Sequence, residues 1–189
     1  MTDRLTSTVR VRRLEPEDSL AHLTELLHRA YKQHADRGIK ALAAFQPEAV
    51  TRNRVATGEC YVATHLGKVV GTILFKDAPA TQASGVGGAN VINWFHRPPR
   101  PEGGVASFSQ FAVEPQMQGK GIGSVLMAKA EQRAAETGAA ELALSTPEPA
   151  AWLIQMYERR GYRVVEHVQW KETNYTSSIM SKTLRSSIS

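Results

Sequence analysis

A single cysteine, Cys60, stands in 189 residues, so the chain cannot close an intrachain disulfide. Disulfide-stapled scaffolds are excluded, and a reducing compartment is the expected setting. No apolar run approaches the ~20 residues that a membrane span needs. The opening residues, Met1-Thr2-Asp3-Arg4-Leu5, lack the apolar core of a secretory signal. A cytoplasmic protein with no membrane partner is expected. Also lacking is any basic cluster interleaved with aromatic residues. The net charge of +5 is therefore read as scattered, and nucleic acid is not expected as a partner. A mildly basic surface equally suits a polyanionic cofactor. No internal repeat, low-complexity tract or linker divides the sequence, and this length predicts a single domain over residues 1–189.

What is present alternates between two periods. Val9 and Val11 alternate with Arg10 and Arg12 in a first strand, Thr8 to Leu14. Leu20, Leu23, Leu27, Ala30 and Tyr31 recur at helical spacing and predict a helix from Asp18 to about Gln33. Pro47 opens a second helix, Glu48 to Ala56, which Gly58 closes. Glu59 to Leu66 and Val69 to Phe75 read as paired strands around a His65-Leu66-Gly67-Lys68 turn. Val105 to Val113 is a strand, and a helix from near Gly121 follows, capped by Gly138. Glu141 to Ser145 is a short strand, placed parallel to the preceding one by the intervening helix. A helix from Ala150 to Arg160, a strand from Tyr162 to Trp170 and a strand from Asn174 to Leu184 complete the order. Residues 185–189 read as a frayed tail.

One stretch fits neither period. Asp77 to Gly104 is rich in glycine and proline yet carries Trp94, Phe95 and His96. A loop insertion this long is usually functional or disordered, and disorder depletes aromatics. A lid over a ligand and a surface loop with tucked aromatics or an oligomer contact are both open readings.

Gln118-Gly119-Lys120-Gly121-Ile122-Gly123 lies where a strand turns into a helix. Such a turn aims backbone N–H groups at an anion. A nucleotide-hydrolase loop would need glycine at Glu114 and Ser or Thr at Gly121. A dinucleotide fingerprint starting at Gly121 would need glycine at Leu126. Both fail.

The turn instead resembles the Gln-x-x-Gly-x-Gly pyrophosphate motif of the GNAT superfamily of acyl-CoA-dependent N-acyltransferases. Two further stretches are similar to that family: the apolar strand ending Phe111-Ala112-Val113-Glu114-Pro115, and Tyr157-Glu158-Arg159-Arg160-Gly161-Tyr162. The order of elements matches too, so the resemblance covers nearly the whole chain. It implies an α/β fold with a mixed sheet, of about seven strands and four helices. It implies acetyl-CoA as cosubstrate, an amine as acceptor, and no metal. Backbone N–H groups from Gly119 through Gly121, Ile122 and Gly123 to Ser124 would hold the pyrophosphate, with side-chain help from Gln118 and Lys120. The pantetheine arm would pair with backbone around Phe111, Ala112 and Val113 beside a bulge, like an added strand. The Val113 N–H is the candidate oxyanion donor. Tyr157 would protonate the departing thiolate as general acid.

The sequence also departs from the family pattern. The asparagine that many members place two turns before the tyrosine falls here near Ala150, and Ser107-Phe108-Ser109-Gln110 holds no acid where some members carry a glutamate base. The base is unassigned: Glu114 reads as a surface or cap residue where the strand meets the turn, and His96 and Glu102 are the candidates. Tyr31, Trp94 and His96 are the candidate acceptor-site residues. A non-catalytic acyl-CoA-binding regulatory module is the alternative function, and a homodimer through the long loop or final strands is open.

Overall fold

The computed structural model describes residues 9–83 and 102–184. Seven strands form one sheet in the order β1-β2-β3-β4-β5-β7-β6. They are β1 (Val9–Arg13), β2 (Glu59–His65), β3 (Lys68–Lys76), β4 (Val105–Val113), β5 (Glu141–Pro147), β6 (Arg163–Gln169) and β7 (Thr176–Thr183). Five α-helices accompany them among the described residues: α1 (Leu20–Ala35), α2 (Glu48–Val55), α3 (Ala78–Ala83), α4 (Ile122–Glu136) and α5 (Ala151–Glu158). No helix among these is long and apolar enough to cross a membrane.

The helix α3 corrects the expectation of four helices. It occupies the start of the stretch read as a loop from residue 77 to 104. Its six residues, Ala78-Pro79-Ala80-Thr81-Gln82-Ala83, are too few for an apolar period to show. The Asp77 carboxylate accepts the Ala80 N–H at 2.8 Å and caps it. Trp94, Phe95, His96 and the 185–189 tail lie outside the described residues. The α1 helix begins two residues later than expected because Ser19 is its cap, accepting the His22 N–H at 3.2 Å. Asp18 is instead held by Arg12 through two bonds of 2.6 and 2.8 Å.

The sheet is covered on both faces, and the alternation of β2 decides which residues serve which face. Tyr61 and Ala63 face α4, packing with Ile73, Leu126 and Ala130. Cys60 and Val62 face the other way, against Leu23 of α1 and Leu74 of β3. The Cys60 thiol is 5% exposed, and burial pushes its pKa up to about 11.

Two irregularities of β4 shape everything that follows. Every neighbouring pair in the sheet is antiparallel except β4 and β5, which are parallel and meet only over Val105–Ser107 against Glu141–Ala143. Beyond Ser107, β4 stays with β3 while β5 stays with β7 as far as Pro147. The strands splay and leave a gap. Within β4, Thr72 pairs with Ala112 but Leu74 pairs with Ser109, so Gln110 and Phe111 oppose the single residue Ile73. That is a bulge, and Gln110 sits in it at φ 50°.

The covering helix α4 is tied to the sheet by a charged contact. Arg133 donates to both Glu59 carboxylate oxygens, at 2.9 and 2.8 Å, and Tyr61 donates to the same carboxylate. Chiefly the Arg133 hydrogen bonds, opposed by burial, hold the Glu59 carboxyl down at about 2, against an ordinary value of 4.5. A depressed carboxylate stabilises the fold above its unfolded value and loses that advantage as pH falls toward its folded one. Glu59→Gln is therefore expected to lower Tm by about 2–4 °C at pH 7, for a half-buried pair contributing about 1 kcal/mol. Melting curves of both proteins across pH should show that gap narrowing from 4.5 down to about 2. A gap independent of pH would show that the contact acts through packing instead.

Candidate functional site

The gap between β4 and β5 opens into a cavity of about 790 Å³. Its floor is β4, whose β5-facing edge has no strand partner beyond Ser107. Side chains have taken two carbonyls there: Tyr31 donates to Phe111 at 3.2 Å, and Gln118 donates to Val113 at 3.1 Å. A residue's N–H and C=O point to the same side of a strand, so the Val113 N–H opens on the gap as well.

The bulge is held from behind by a buried polar network. Gln46 donates to Gln110 and to Thr51, each at 2.8 Å, and Thr24 donates to Thr51 at 2.8 Å. Gln46 is fully buried and Gln110 is 5% exposed. The network fastens α1, α2 and the segment between them to the one place where β4 breaks register. Sequence inspection gave Gln110 no role except as the absence of an acid. Its left-handed backbone carries no signature of its own, since only a glycine there would have flagged it.

At the end of β4 the chain makes a short 3-10 turn, Pro115–Met117, and enters α4. Gly119 and Gly121 stand at φ 73° and 85°, where a side chain would be strained. Gly121 is the helix cap and supplies no side-chain oxygen. As a result, no backbone N–H from Gly119 to Ser124 meets a partner among the described residues. Gly123 lets this end of the helix lie on β4, for a Cβ there would come within 3.1 Å of the Phe111 ring. The positive end of α4 thus presents a row of unspent donors. A cation joins them, since the Arg160 guanidinium donates to the Ser124 hydroxyl. The sequence placed Arg160 inside a motif without showing that α5 ends beside the start of α4.

Of the predicted donor-site residues, Phe111, Ala112, Val113, Gln118, Gly119 and Gly123 line the cavity. Lys120, Gly121, Ile122 and Ser124 form the turn and first helical residues but not its wall, and the Ile122 side chain is buried in the core. The Lys120 amine lies 3.7 Å from the Met117 sulfur.

Tyr157 lines the cavity from α5 and is 5% exposed. Its ring packs against Phe108 and Tyr162, with centroids 6.2 and 5.9 Å apart. Burial drives its hydroxyl well above the ordinary tyrosine value, so it keeps its proton at physiological pH. No hydrogen-bond partner holds that proton among the described residues, which leaves it available to a ligand.

The groups weighed as a base fare differently. Glu114 is clamped by Arg29 of α1, with bonds of 2.9 to 3.2 Å, and serves as a tether. Glu102 is exposed and does not line the cavity. His96 lies outside the described residues, as does Trp94. Tyr31 does line the cavity, and burial pushes its hydroxyl up to about 12. His34 and Trp152 extend that wall, their rings 5.8 Å apart. Burial lowers the His34 pKa, and neither ring nitrogen has a hydrogen-bond partner among the described residues.

The opposite lip is the β6–β7 loop, stitched to the segment after α1. The Asn174 amide accepts the Lys40 N–H at 2.9 Å and donates to the Gly38 carbonyl at 2.8 Å. Among the described residues no group of His, Cys, Asp or Glu could hold a metal ion.

Comparison with known proteins assigns this architecture. Residues 20–162 match the model of the acetyltransferase (GNAT) family. The S-(2-succino)cysteine N-acetyltransferase of Bacillus subtilis is 30% identical over 152 residues, spanning 79% of this chain and 82% of that protein. A Pyrococcus horikoshii protein of known structure superposes with a TM-score of 0.66 at 18% identity, covering 94% of this chain and 99% of its own. A GNAT family acetyltransferase from Elizabethkingia anophelis, solved with acetyl-CoA bound, gives 0.60 at 14% identity, with 94% and 99% covered. The structural likenesses establish the fold, the sequence matches establish the lineage, and together they show that this chain belongs to the GNAT acetyltransferase family.

Proposed function

We propose that the protein transfers the acetyl group of acetyl-CoA to the primary amine of a small acceptor, within a ternary complex. The observation that carries this reading is the continuity of three features along one cavity. The unpaired edge of β4 leads at one end to the open donors of Gly119 to Ser124 and faces Tyr157 across the gap.

In this reading the pyrophosphate sits on the turn, where the helix dipole, Lys120 and Arg160 all favour negative charge. Pantetheine lies along the open edge of β4. Because Tyr31 and Gln118 already occupy the Phe111 and Val113 carbonyls, the Val113 N–H is the donor left for the thioester oxygen as it turns anionic. The neutral amine attacks the thioester carbon, the C–N bond forms and the C–S bond breaks. Tyr157 gives its proton to the departing sulfur and recovers one from the proton that the amine sheds. The phenol is protonated at neutral pH and so has that proton to give. The relative named above acetylates an amino acid derivative, and an amino acid type of amine is the acceptor class proposed here.

Two measurements test the reading. Tyr157→Phe is expected to lower kcat for thiol release from acetyl-CoA by about 100-fold while leaving CoA affinity unchanged, the usual range for one general acid. Near wild-type turnover would remove Tyr157 from the chemistry. Arg160→Ala is expected to weaken CoA binding about 5- to 10-fold by calorimetry, as loss of one charge-assisted contact to phosphate should. Unchanged affinity would place the pyrophosphate elsewhere.

A further inference from the structure

The other half-buried arginines among the described residues have acceptors. Arg12 is paired with Asp18 at 2.6 Å and Arg133 with Glu59 at 2.8 Å, while Arg160 donates to the Ser124 hydroxyl. Arg54, at the end of α2, breaks the pattern. It is half-buried and lines the cavity, yet no carboxylate or carbonyl accepts from its guanidinium among the described residues. Its neighbours on that wall are the phenols of Tyr31 and Tyr175, both of which hold their protons more tightly because they are buried. Glu172, the carboxylate that lines the same cavity, is exposed and forms no ion pair with it. Residues 84–101 contain no Asp or Glu that could fill the role.

An uncompensated guanidinium out of water is costly, and the cost here is visible in two places. Burial lowers the Arg54 pKa below the ordinary arginine value. Lys76 is lowered as well, first by burial and then by the charge of Arg54. The two cations are close enough to repel, and α2 brings no acid between them. The same wall holds the ring nitrogens of His34 and Trp152, also without hydrogen-bond partners among the described residues. A cavity wall that keeps a cation and donors unspent suits an anionic guest.

We propose that Arg54 binds a carboxylate of the acceptor, so that the enzyme selects amines bearing a carboxylate over otherwise equivalent neutral ones. The inference rests on the acetyltransferase reading above for the word acceptor, but the binding it asserts does not require transfer. A guanidinium offers two parallel N–H donors to a carboxylate, whereas the neutral amide of the same shape offers one acceptor and a clash of donors. The anion is assigned to the acceptor because the donor's phosphates have their own cations, Lys120 and Arg160, at the other end of β4.

The test uses pairs that differ only in this group. These are L-phenylalanine against L-phenylalaninamide, and S-carboxymethyl-L-cysteine against S-carbamidomethyl-L-cysteine. Each is titrated calorimetrically into the full-length protein saturated with CoA, and each is offered as acceptor in thiol release from acetyl-CoA. In at least one pair the acid is expected to bind and react about 100-fold better than its amide. Arg54→Gln should bring that ratio to near 1, and Arg54→Lys should restore part of it. The Tm of Arg54→Gln should not fall, because the substitution removes an unpaired charge. Equal binding of acid and amide in both pairs, or no binding of either acid, overturns the proposal. So does a lowered Tm with the ratio intact, which marks a structural arginine, or a loss of CoA affinity in Arg54→Gln, which moves the residue to the donor site. If acids bind with the expected preference while no amine releases thiol, the acetyltransferase reading fails and the carboxylate site stands.

Discussion

The parting of β4 from β5 is the constraint on which the rest of this structure depends. Three residue pairs hold the two parallel strands together, and after Ser107 each follows its other neighbour. Backbone donors and acceptors that lose a strand partner inside a protein must find another or accept a large desolvation cost. Here they are answered piecemeal. Tyr31 and Gln118 reach in to two carbonyls, and what they leave faces a cavity long enough for an extended guest. An unpaired edge would ordinarily invite aggregation. Covered by α1 on one side and by α5 on the other, it becomes a selective slot.

Holding such a slot open needs rigidity around it, and the polar contacts are placed for that purpose. The Gln110–Gln46–Thr51–Thr24 network pins the bulge to α1 and α2. Arg29 and Glu114 pin the end of β4 to α1, just before the chain turns toward the glycines. Asn174 joins the two loops at the mouth. Each contact spans elements far apart in sequence.

That separation in sequence also explains what could be read in advance. The strand and helix order was legible because each element repeats a period locally, and the glycine turn into α4 was legible because Gln118 to Gly123 is contiguous. The parallel pairing of β4 and β5 followed from the helix between them. Tyr157 was legible as part of a motif. Gln110, Asn174, Arg160 and Arg54 were not, since each acts through a partner or a cavity wall tens of residues away. Glu114 read as a surface or cap residue, and its role as a tether was hidden because it depends on Arg29, which only the fold brings near. The helix α3 escaped notice because six residues cannot display a period.

Cys60, set into the face of β2 against Leu23 and Leu74, has a consequence at the bench and in the cell. It is the sole sulfhydryl of the chain, screened from solvent and with an ionisation displaced upward to about 11. Thiolates, not thiols, react with oxidants and disulfide reagents. The folded protein should stay silent toward both, so a free thiol that develops during turnover can be credited to the product. Reagents that act on thiols would meet the thiol released in turnover before Cys60.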